Sequence, residues 1–230
     1  MFKRIASIFG AKPTASTVKP TANGASPYPN EAINKIYNLL FCDQSEMFEP
    51  RPGESPNEWQ GLLFGTGRDF SAVLALANDE TKESRIRALA FNWLRARGQV
   101  VPNKVLLGVV VEVPLQDGLD ALAAYADGQV RYINHSGKLA VFDGGPPNIV
   151  EKAISVVRAG QAIVDRIGPW DKARLPAPKQ GNIRMTFVVS DGLYFGEGPF
   201  QLMQKDPLAA QFIAQAVELL QLTVNTALPK

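Results

Sequence analysis

The stretch VLLGVVVEVPLQDGLDALAAYADGQVRYINHSGKLAVF, residues 105–142, decides the fold. Its first part, Val105 to Val113, is rich in β-branched side chains that suit a buried strand, and Pro114 closes the run. Leu119 to Ala126 and Val130 to Asn134 flank Asp127-Gly128, a pair that readily supplies the positive φ angles of a primed turn, so the spacing predicts a hairpin. Ser136-Gly137-Lys138 makes the next turn and leads into Leu139 to Phe142. Together these segments predict an antiparallel meander.

C-terminal to the meander, the Asp143 to Pro147 turn and Asn148 as a cap open a helix with Ile149, Ala153, Val156, Val157, Ile163, Val164 and Ile167 on one broad face. A Pro-rich crossing from Gly168 to Gly181 leads to strands Ile183 to Val189 and Leu193 to Phe195, joined through Ser190-Asp191-Gly192. A last helix is expected from Pro207 to about Ala227. N-terminal to the meander, Asn30, Asn57 and Asp69 are candidate caps for three helices, and Asp79 is expected to start a fourth whose stripe is Ile86, Leu89, Ala90, Trp93 and Leu94. This order of elements predicts the α+β class: a two-layer sandwich with a mostly antiparallel sheet covered by helices and an N-terminal helical segment.

Residues 1–28 differ from the rest. They hold Lys3, Arg4, Lys12 and Lys19 and no acid, and Pro, Thr, Ser and Ala fill the segment from Ala11. Such a composition cannot bury enough apolar surface to offset the entropy of ordering, so the domain reading is a flexible basic arm, 1–28, ahead of a single domain, 29–230. Within the arm Phe2, Ile5, Ile8 and Phe9 share one helical face, the pattern of a short amphipathic anchor for a partner or for peripheral membrane contact. Its apolar stretch is short and is cut off by Lys12-Pro13, which argues against a signal peptide.

Composition narrows the chemistry. Lys and Arg number 24 against 22 Asp and Glu in 230 residues, a balance too even for a surface built around nucleic acid. With one cysteine, Cys42, and one histidine, His135, the usual zinc and copper ligand sets cannot be assembled, no internal disulfide can form, and a cytoplasmic location is expected. Asp117, Asp120, Asp127, Asp143 and Asp191 all fall at turns, where Asp is favoured for its local bonds to the backbone. Gly65-Thr66-Gly67-Arg68 has open amides and a cation but lacks the Gly-Lys-Ser/Thr of a P-loop, and it reads as a break between helices. No cofactor is expected.

His135, Cys42 and Asp191 are the catalytic candidates: His135 is the one imidazole of the chain and lies at a strand end, and a dyad with Cys42 would need the two in hydrogen-bond reach. Phe2, Ile5 and Phe9 of the arm, with Arg95 and Arg97 at the end of the fourth helix, are the binding candidates. The resulting expectation is a non-enzymatic protein-interaction or regulatory domain, tethered by its arm to a protein partner or a membrane surface. The alternative is a small-molecule enzyme, hydrolase-like, with a pocket near His135 and Asp191.

Overall fold

A computed structural model describes residues 25–67 and 69–227; Phe2, Ile5 and Phe9 lie outside the described residues. The described elements are α1 (Glu31–Leu39), α2 (Glu58–Phe64), α3 (Phe70–Asn78), α4 (Ser84–Arg95), β1 (Leu106–Leu115), β2 (Gly118–Tyr125), β3 (Val130–Ile133), β4 (Leu139–Phe142), α5 (Pro147–Val164), β5 (Asn182–Val189), β6 (Gly192–Pro199), α6 (Phe200–Met203) and α7 (Ala210–Ala227). The six strands form one sheet in the order β4-β3-β2-β1-β5-β6, and every neighbouring pair is antiparallel. The α+β class, the meander and the helical covering are present as the sequence predicts. The meander fills β1 to β4, and α5 carries the chain back across to place β5 on the free side of β1.

Helices lie against both faces of the sheet, so the layers number three where the order of elements predicts two. On one, Val109, Val111, Leu122, Met185 and Phe187 pack with Ile149, Ala153, Val156, Phe212 and Ala216 of α5 and α7. On the other, Val110, Ala121, Ala123 and Tyr125 meet Tyr37 of α1 and Leu40 and Phe41 just beyond it, and Leu107 and Val188 meet α3 and α4. Strands buried on both faces lose the polar half of their alternation, which is why residues 105–113 read as an apolar run broken only by Glu112. The β1–β5 register shifts between Leu106 and Gly108, so that the bulge lets Leu107 and Gly108 share a face.

Local signals set several helix starts. The Asn30 side chain accepts from the amides of Ala32 and Ile33, Asn57 and Gln60 form a capping box, and Asp69 accepts from the Ala72 amide. Three starts differ from expectation. The last helix begins at Ala210 and not at Pro207, after a turn in which Asp206 Oδ1 accepts from the amides of Leu208 and Ala209. Asp79 turns its carboxylate onto Thr81, and α4 begins at Ser84, whose amide donates to Asp127 Oδ2 of the β2–β3 turn at 2.8 Å. Asn148 is not a cap, because Pro147 already occupies the first turn of α5.

The packed body also begins before residue 29. Tyr28 is buried, its hydroxyl donates to Leu119 O at 2.9 Å, and its amide donates to Asn34 Oδ1. No described helix is long and apolar enough to cross a membrane.

Candidate functional site

A groove of about 250 Å³ opens between α7 and the sheet. Val111, Val113 and Leu122 form its floor, Ile213 and Leu220 one wall, and Phe200 of the short α6 closes an end. Strand alternation explains the floor, since Val111 and Val113 of β1 and Leu122 of β2 point to the same side. Two lining residues at the mouth, Leu115 and Val217, are exposed at 42% and 38%.

Only Asp120 and Tyr132 give the groove polar character. The Tyr132 hydroxyl donates to Asp120 Oδ2 at 3.0 Å, and the His135 amide donates to Asp120 Oδ1 at 2.7 Å. His135 Nδ1 stands 3.3 Å from the same oxygen, with its ring partly exposed. Burial, and then the charge of Asp120, pushes the Tyr132 hydroxyl well above its ordinary range, so it acts as a fixed donor. The pairing of β2 with β3 brings these groups together: Ala121 lies opposite Ile133, which sets Asp120 beside the chain entering His135.

The structure separates the three catalytic candidates. Cys42 is fully buried beyond the C-terminal end of α1, with its thiol pushed up to about 11 by burial. His135 lies at the other end of that helix, where a Cβ on Gly137 would come 3.7 Å from Ile33. A Cys42–His135 dyad is therefore not formed. Asp191 accepts from the Tyr194 hydroxyl at 2.8 Å and from the Lys104 amide at 3.3 Å. It follows Val189, which pairs with Leu106 at the start of β1, whereas Asp120 pairs with Val113. Seven strand residues between those positions correspond to about 23 Å. The groove adjoins His135 and not Asp191.

The binding candidates of α4 serve the body itself. Arg95 sits beside Asp191 and bonds to Asn92, and burial lowers the pKa of its guanidinium from the ordinary value. Arg97 stacks on Trp93 at 3.8 Å from the ring centroid and donates to the Trp93 carbonyl. Tyr125 is a core residue on the face of Leu119, Ala121 and Ala123, as its alternation predicts. Asp127 and Asp143 have structural partners, the α4 amino terminus and Arg131 respectively.

On the sheet face opposite the groove lies a charged cluster that the sequence reading passes over. Glu112, fully buried, accepts from the Tyr37 hydroxyl at 2.6 Å. Arg184 binds Glu197 through Nε and Nη2, at 3.0 and 2.7 Å, and Arg174 pairs with Asp43 at 2.6 Å while stacking on Phe41. The signal available in the sequence was Glu112 itself, one acid inside an otherwise apolar strand. No protein-family model, curated protein or solved structure matches the chain.

Proposed function

We propose that the protein is a non-enzymatic interaction or regulatory domain that takes the apolar face of a partner segment into the groove between α7 and the sheet. The observation that carries this reading is the groove itself. At about 250 Å³ it falls just below the roughly 300–1,000 Å³ usual for small-molecule and cofactor pockets. Its size and apolar lining suit a few anchor side chains of a helix laid into a groove. Exposed Leu115 and Val217 extend the apolar surface beyond the mouth, and Asp120 with Tyr132 offers one polar point to fix orientation. In this reading the protein works in the cytoplasm, and the N-terminal arm holds it near its partner or at a membrane surface.

Val217→Glu tests the proposal, since it places a charge at the mouth without removing a fully buried side chain. The variant should keep its circular dichroism spectrum, lose the fluorescence enhancement of an anilinonaphthalene sulfonate probe, and lose proteins captured by the wild-type chain from native cells. Capture of the same proteins by both forms would refute the groove as the docking site.

The contact between His135 and Asp120 favours a second reading, a small-molecule enzyme of hydrolase type with His135 as its base. A cellular phenotype lost in His135→Ala but kept in Val217→Glu would select this reading over the first.

A further inference from the structure

Beside Glu112, on the face of the sheet away from the groove, is a second and much smaller cavity of about 20 Å³. Four aromatic side chains line it: Tyr37 and Phe41 from the α1 region, Trp170 from the crossing, and Phe195 from β6. Trp170 and Phe195 meet edge to face with centroids 4.8 Å apart. Glu112 lines the same cavity, and its carboxylate is unevenly satisfied. Oε1 accepts from Tyr37, whereas Oε2 is buried with no hydrogen-bond partner. The Nη1 atom of Arg184 stands 3.8 Å from Oε2 and donates to the Leu175 carbonyl at 3.2 Å.

From this arrangement we infer that the cavity is a binding site for a primary ammonium group, which donates to Glu112 Oε2 among the aromatic rings. Charge supports it. With Glu112 ionised, Asp43, Glu112 and Glu197 face two guanidiniums, Arg174 and Arg184, and the cluster is one positive charge short. The arginines are already committed, Arg184 to Glu197 and Arg174 to Asp43 and Asn38. Lys172 lies over the Trp170 ring at 5.6 Å and is exposed.

Size selects the kind of cation. A single water-sized group needs roughly 10–15 Å³ measured this way, so about 20 Å³ admits a head of one heavy atom. A guanidinium or a quaternary ammonium is too large. A water fits but leaves the charge deficit in place. Occupancy of this cavity is independent of the groove, which lies on the opposite face.

The full-length chain tests the assignment. Thermal unfolding is followed against increasing ethylammonium chloride, with sodium chloride at equal ionic strength and tetramethylammonium chloride as references. The wild type should show a saturable rise in Tm with ethylammonium alone, of about 3–6 °C at ten times Kd. Glu112→Gln should abolish the rise, and Trp170→Ala, which leaves the carboxylate intact, should weaken binding at least tenfold. Nα-acetyl-lysine methylamide separates the sources of the amine: tighter binding than ethylammonium assigns the site to a protein lysine, and weaker binding to a free small amine. No saturable response in the wild type, or one that survives both substitutions, would overturn the assignment and leave the cavity to water beside a neutral Glu112.

Discussion

Tyr37→Phe isolates one hydrogen bond in the buried charged cluster. The ring is kept, and with it the edge contacts to Tyr28 and Phe41 at 5.9 and 5.2 Å, so what is lost is the donor to Glu112 Oε1 at 2.6 Å. A hydrogen bond to a charged group contributes about 1.5–3 kcal/mol, and Glu112 has no second neutral donor to replace it. For a chain of this length that loss lowers Tm by about 3–12 °C. Burial pushes the Glu112 carboxyl above its ordinary value, while Arg184 and the Tyr37 hydroxyl pull it back down. A raised value in the folded state means that the folded protein holds the proton more tightly than the unfolded chain. Its contribution is present at low pH and fades as pH rises through the folded value. Removing Tyr37's hydroxyl raises that value further, so the variant should lose more stability at about pH 8 than at about pH 5. Urea unfolding at both pH values measures this. A loss below about 0.5 kcal/mol at both, or a greater loss at the lower pH, would refute the Tyr37 hydroxyl as the donor that favours the ionised form of Glu112.

Three further outcomes follow from other parts of the fold. Gly118 has φ +154°, and a Cβ there would stand 2.3 Å from the His135 carbonyl oxygen; Gly118→Ala should cost about 2–4 kcal/mol in denaturant unfolding, and a neutral effect would contradict the close approach of the two chains. Cys42, buried and with its thiol pushed up to about 11, should resist dithiobisnitrobenzoate in the native protein at about pH 8 and react fully in guanidinium chloride. Rapid native labelling would show that the site opens. Tyr28→Ala removes a buried ring and its bond to Leu119, and should destabilise by about 3–5 kcal/mol; a change within experimental error would return residue 28 to the arm.

The parts of the fold written in neighbouring residues were legible. Asn30, Asn57 and Asp69 cap helices through amides two or three positions away, so residue type and spacing suffice to place them. The hairpin at Asp127-Gly128 was legible, but its turn is not the primed one expected: only Gly128 takes positive φ, +86°, and it closes a three-residue loop in which its amide donates to the Tyr125 carbonyl. The start of α4 was not legible, because its cap comes from Asp127, 43 residues downstream, while Asp79 spends its carboxylate on Thr81. His135 could be picked out as the one imidazole, but its partner Asp120 is supplied by strand pairing. Cys42 looked like a possible nucleophile only because sequence does not show that α1 holds it and His135 at opposite ends.

What the sequence by itself determined is the α+β class, the meander, the second hairpin and most helix positions. Periodicity, turn chemistry and caps act over a few residues, and these elements are built from such local terms. The tertiary structure alone decided which groups meet. The groove joins β1, β2, β3, β5, α6 and α7, and the Glu112 cluster joins positions 37, 43, 112, 174, 184 and 197. Each is a product of sheet order and helix packing, in which side chains far apart in the chain are brought within a few ångströms, and no local pattern encodes that meeting.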